Sequence, residues 1–230
     1  MKLTQEQLFY LIVIVSLILT RIPYIGKFFR VINTMIHECG HAFMALFLSG
    51  EVVKINLFSD TSGVTVTKVR GKLPRLLVSF AGYPFSAVMA FIIFYLIKDD
   101  YYTVALIVLM LFALVCLLFF VRNWYGIFWL VVFLVAGGAI VQLDSLPILN
   151  IWLVFLASLL LTDAFVSGLI LLKISIENPT GAGDATNLKK ETHIPAWFWS
   201  LLFCIINGYF AYLTISLTFP PVQNILSYKL

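Results

Sequence analysis

Long apolar runs separated by short polar breaks dominate the chain. Uninterrupted apolar stretches cover about 7–25, 31–49, 74–97, 102–121, 124–143, 149–173 and 196–218. Each approaches the roughly 20 residues that a helix needs to cross a bilayer. The pattern predicts an all-α polytopic membrane protein, a bundle of six or seven transmembrane helices. The range reflects the first run, which carries Arg21 and Pro23 near its end and reads as short or partly interfacial. No small-residue cleavage site follows its apolar part, so an uncleaved helix is expected there rather than a signal peptide.

Two stretches break the helical pattern. Residues 51–70 alternate Val53, Ile55 and Leu57, then Asp60-Thr61-Ser62-Gly63, then Val64, Val66 and Val69. β-Branched residues at period two around a glycine-containing turn predict one small β-hairpin. Residues 174–195 hold Asn178-Pro179-Thr180-Gly181 and then Lys189-Lys190-Glu191, which reads as a polar loop with a short interfacial helix from 185. Residues 1–230 are expected to form one integral membrane domain.

Composition sharpens the class. Apolar residues make up 62% of the chain and charged residues 11%, against about a quarter charged in soluble domains. A soluble domain, disorder and a coiled coil are all excluded. The net charge of +4 is spread over short loops, so no nucleic-acid partner is expected. The chain has no phosphate-cradling glycine loop, so no nucleotide is expected either. Cys39, Cys116 and Cys204 fall in separate apolar runs and read as buried thiols. With seven spans, most basic residues gather on the side of the N-terminus, the hairpin and 174–195, which places these in the cytoplasm.

The chemistry concentrates in His37-Glu38-Cys39-Gly40-His41, inside the second apolar run. On a helix at about 100° per residue, His37 and His41 lie some 40° apart and one turn from each other. Two imidazoles so placed suit one Zn2+. Glu38 stands beside them as general base, since a metal brings the pKa of bound water towards ~7. Exposed copies of this spacing arise by chance in soluble helices, but two histidines and a glutamate sunk in hydrocarbon are expensive unless paired or metallated. Cys39 points away and reads as packing, while Gly40 and Ala42 permit a close neighbouring helix.

Zinc needs a third protein ligand. Asp163 lies near the middle of the sixth run, at the depth of the motif, and an unpaired carboxylate there needs a partner. Asp184 is the alternative third ligand. It reaches a metal only if the polar loop re-enters the bundle, and it otherwise reads as a helix cap. Asp144 reads as a loop residue.

The chain resembles the site-2 protease family of intramembrane zinc metalloproteases, in particular a small bacterial branch of it. The residues that carry the likeness are His37-Glu38-Cys39-Gly40-His41, Gly63-Val64-Thr65, Ala81-Gly82-Tyr83-Pro84, Arg122-Asn123 and the stretch from Asp184-Ala185 to Pro195. The resemblance implies a metalloendopeptidase that hydrolyses peptide bonds in or near the membrane, with a membrane-protein or peptide substrate. It also implies multi-pass placement in a bacterial plasma membrane. Better-known members supply the third ligand from an aspartate followed by glycine. No Asp-Gly occurs here, so Asp163 and Asp184 both stay open. A membrane metal-ion or proton transporter is the alternative function, since such pathways also collect buried ionisable residues. A metal-binding scaffold without hydrolysis is another.

Other polar positions carry lesser expectations. A hairpin edge around Val64 and Val66 can add an extended substrate strand. Asn207 reads as interhelical glue, Pro84 as a kink, and Trp197 and Trp199 as an interfacial belt. His193 reads as an interfacial side chain.

Overall fold

The structure is a computed structural model and describes residues 4–221. Its elements in chain order are α1 (Gln5–Leu19), α2 (Ile25–Phe47), β1 (Glu51–Leu57), β2 (Gly63–Lys68), α3 (Lys72–Lys98), α4 (Tyr102–Val115), α5 (Trp124–Gln142), α6 (Leu146–Glu177), α7 (Gly183–Thr192) and α8 (Ala196–Thr218). A π-helical turn, Cys116–Phe120, extends α4.

Five helical segments are long and apolar enough to cross a membrane: α3, α4 with its π turn, α5, α6 and α8. The two others expected as spans differ for separate reasons. Helix α1 has 15 residues and stops before Arg21, so at 1.5 Å per residue it falls short of a ~30 Å hydrocarbon core. Helix α2 has 23 residues but carries a polar face. That face is covered by protein, which removes the need for an apolar surface there. Val31, Ile32, Met35, Ile36 and Cys39 of α2 are buried in the main core with Ile93 and Phe94 of α3 and Leu156, Leu159 and Leu160 of α6.

Local sequence sets most boundaries. Thr4 and Gln7 form a reciprocal capping box at the start of α1. Pro147 occupies the first turn of α6, where its missing N–H costs nothing. Pro84 lies within α3, which continues as helix to Lys98. Asn207 Nδ2 donates to the Ala164 carbonyl at 2.7 Å and joins α8 to α6. The Cys39 and Cys116 thiols are free, buried and 2.8 Å apart.

The hairpin is the antiparallel pair β1–β2, with an irregularity between Val52 and Lys54. It folds back alongside α2 rather than projecting from the helix end: Thr34 Oγ1 donates to the Thr61 carbonyl at 2.8 Å. One edge is closed. Asn123 bonds both backbone groups of Leu57, Oδ1 accepting from N at 3.0 Å and Nδ2 donating to O at 2.6 Å. The Arg122 amide donates to the Ile55 carbonyl at 3.1 Å. Leu57 and Ile55 therefore point away from β2, and so their partners Gly63 and Thr65 point away from β1. The outward backbone groups of β2 belong to Gly63, Thr65 and Thr67, while Val64 and Val66 spend theirs on β1. This corrects the expectation that Val64 and Val66 supply edge donors.

Candidate metal centre

Helix α2 presents Arg30, Asn33, Thr34, His37, Glu38 and His41 to a cavity of about 540 Å³. Helices α3 and α6, strand β2 and the first turn of α7 complete its wall. The polar stripe follows from spacing, because positions three, four and seven apart share one helix face.

His37 and His41 come together as the spacing predicts. Their Nε2 atoms are 3.1 Å apart. The His41 Nδ1 lies 2.6 Å from the Val78 carbonyl of α3. A carbonyl only accepts, so Nδ1 carries a proton and Nε2 is the ring nitrogen turned to the cavity. Tyr83 packs edge-on against His37 with ring centroids 4.6 Å apart. Helix α3 approaches this closely because position 82 is glycine: a Cβ there would lie 2.6 Å from Nε2 of both histidines.

The third member is Asp184. Its Oδ2 lies 3.2 Å from the Nε2 of His37 and 3.2 Å from that of His41. Loop 178–182 carries α7 back into the bundle. Ala182, Ala185 and Leu188 are buried against Phe203 of α8. Arg75 binds Glu191 through two hydrogen bonds at 2.6 and 3.0 Å, fixing α7 to the start of α3. That exposed guanidinium also holds the Glu191 carboxyl below its ordinary range. Asp184 does not cap α7, whose N-cap position is Ala182 with no side-chain cap. It sits in the first turn, where the helix dipole favours negative charge. Burial by itself would raise the Asp184 pKa, but the facing histidines outweigh it and hold the carboxyl well below its ordinary range.

Asp163 is not part of this cluster, which corrects its expected place as third ligand. Arg30 Nε donates to its Oδ1 at 2.5 Å and Asn33 Nδ2 to its Oδ2 at 3.3 Å. Depth does demand a partner for a buried carboxylate. The partner is a cation on α2, two turns before His37. Arg30 and Asn33 were legible as further polar members of the α2 face, at i−7 and i−4 from His37.

Glu38 lies next to the cluster and is held from the hairpin. Thr65 Oγ1 donates to Glu38 Oε2 at 2.6 Å. Gly63 sits so close that any Cβ would overlap the Glu38 carboxylate. Glu38 Oε1 accepts no protein hydrogen bond among the described residues. Thr65 belongs to the Gly63-Val64-Thr65 stretch of the likeness, but only the fold of the hairpin shows that it meets Glu38.

His37, His41 and Asp184 form a triangle with edges of 3.1–3.2 Å between atoms that can each bind a metal. Donors about 2.0–2.1 Å from a tetrahedral ion stand roughly 3.3 Å apart, so the set fits zinc without rearrangement. The donor set, two imidazoles and a carboxylate, is that of a site that keeps one position open.

No curated protein and no solved structure matches the chain. A family model described as Peptidase M50B-like matches residues 10–214, from α1 to α8. That span takes in the histidines, the glutamate, the hairpin and α7, and with it the chain belongs to the Peptidase M50B-like family, a site-2 protease family domain of multi-pass membrane proteins.

Proposed function

We propose that the protein is a zinc-dependent endopeptidase acting on peptide bonds in or near the membrane. His37, His41 and Asp184 hold the metal and Glu38 is the general base. The observation that carries this reading is the near-equilateral triangle of His37, His41 and Asp184 donors beside a carboxylate with one free oxygen. Zinc bound there supplies the Lewis acidity that makes water nucleophilic at neutral pH.

The chain's own residues supply the rest. Glu38, turned by Thr65, takes the proton of the attacking water on Oε1 and passes it to the leaving amine. Val78 holds His41 in the tautomer that offers Nε2. The outer edge of β2, which has no strand partner among the described residues, runs along the same cavity. A substrate helix must unwind before its carbonyl is open to attack, and an extended segment can then pair with Gly63, Thr65 and Thr67. The cytoplasmic placement of the N-terminus belongs to this proposal through the loop charges.

The test is Glu38→Gln in purified, zinc-loaded protein, assayed on a panel of transmembrane peptides. The protease reading expects zinc retained and cleavage reduced by at least about a hundredfold, the scale of general-base catalysis. Zinc flux that survives the substitution, with no cleavage by the wild type, would establish the transport alternative instead.

A further inference from the structure

The cavity has a second polar end that the hydrolytic chemistry does not use. Arg30 precedes His37 by seven residues, two helical turns, and so lies on the same face of α2 about 10.5 Å further along its axis. Asp163 takes only the Nε of Arg30. Among the described residues the two terminal nitrogens of the guanidinium make no protein hydrogen bond, and the Arg30 side chain is 21% exposed against 6% for Asp163. Asn33, which bonds the other oxygen of Asp163, has a buried Oδ1 with no partner.

An arginine that neutralises a carboxylate commonly uses its fork, with two parallel bonds. Here Asp163, itself held by Asn33, takes the guanidinium by its side and leaves its outer donors facing the cavity. Free donors in a membrane interior are costly, and their natural complement is a ligand rich in acceptors. Asp163 already balances the charge, so the end of the cavity suits neutral acceptors better than another anion. The backbone carbonyls of an unwound peptide meet that requirement, because unwinding strips them of their helical donors.

We propose that Arg30, positioned by Asp163 and Asn33, is a substrate-binding residue that donates to backbone carbonyls of the extended substrate. At about 3.3 Å per residue, the subsite lies about three residues from the scissile bond. The inference rests on the protease reading and deepens it by giving the cavity a minimum substrate length. Recognition through carbonyls makes the subsite tolerant of side-chain identity.

The experiment uses the full chain, zinc-loaded in detergent. A fluorescent transmembrane peptide that the wild type cleaves is shortened one residue at a time from each end. Binding is measured in the Glu38→Gln protein with and without Arg30→Gln. The substitution should weaken the long peptide about tenfold, the scale of one charge-assisted hydrogen bond. It should leave peptides that stop short of the third residue within about twofold. Arg30→Lys should restore part of the loss. Equal weakening of long and short peptides, or none at normal zinc content, overturns the subsite.

A second measurement needs no further protein variant. Ester replacement of a single backbone amide weakens the carbonyl of that bond and removes its N–H, so the scan is run on the Glu38→Gln protein with and without Arg30→Gln and read as the difference. The difference should peak at the third position, and a flat difference overturns the proposal. A wild type that cleaves no peptide overturns the protease reading and the subsite together. Cleavage with a flat truncation profile overturns the subsite alone.

Discussion

At the residue scale, the division of labour between two buried aspartates is set by what faces each. Asp184 meets two imidazole Nε2 atoms at 3.2 Å, and Asp163 meets a guanidinium at 2.5 Å. Removing either carboxylate therefore has a different consequence. Asp184→Ala should lower zinc affinity by at least about tenfold, since it deletes a donor. Asp163→Ala should keep zinc and cost about 3 kcal/mol of stability, because it strands a largely buried cation. Zinc content by atomic spectroscopy, set beside thermal unfolding of the same samples, separates the two. The His-Glu-x-x-His spacing was enough to place three of the cavity's side chains on one helix face. It was silent on Thr65, because a threonine in an alternating segment is ordinary until the hairpin lays it against Glu38.

At the element scale, α3 and the hairpin are pressed against the centre, and each has a position that admits only a small residue or a free donor. A Cβ at Gly82 would meet His37 and His41 ring atoms at 2.5–2.6 Å. Gly82→Ala should push the rings apart and abolish zinc binding at stoichiometric metal while the helical circular dichroism stays unchanged. For the hairpin, Thr67→Pro removes one outward donor of β2 without touching the pairing to β1. It should lower kcat/KM on transmembrane peptides several-fold with zinc intact, whereas unchanged kcat/KM would count against strand addition. Alternating hydrophobicity revealed the hairpin itself. It did not reveal which edge is free, because that depends on Asn123, some 66 residues from Leu57, folding back to close the other.

At the scale of the whole molecule, the centre is assembled from α2, α3 and α7, which are far apart in sequence, so metal and fold should stabilise one another. Zinc in thousandfold excess over its Kd is expected to add about 4 kcal/mol to stability, read as a rise in Tm that a chelator reverses. Imidazole ligands bind zinc only when neutral. Zinc affinity should fall as the pH is lowered, because protons compete with the metal for both rings, with proton uptake accompanying metal release in calorimetry. The chain's apolar runs, its hairpin alternation and the histidine spacing were sufficient to declare a polytopic membrane protein with a metal-ready helix, because these depend on local periodicity and on the cost of charge in lipid. Depth along a helix ranked Asp163 first, since sequence reports how far a residue lies from a helix end. It does not report which helix faces it. Only the packed structure decided that Arg30 claims Asp163, that loop 178–182 re-enters and that α7 delivers Asp184, because these pairings are made between elements whose approach is fixed by the shape of the whole core.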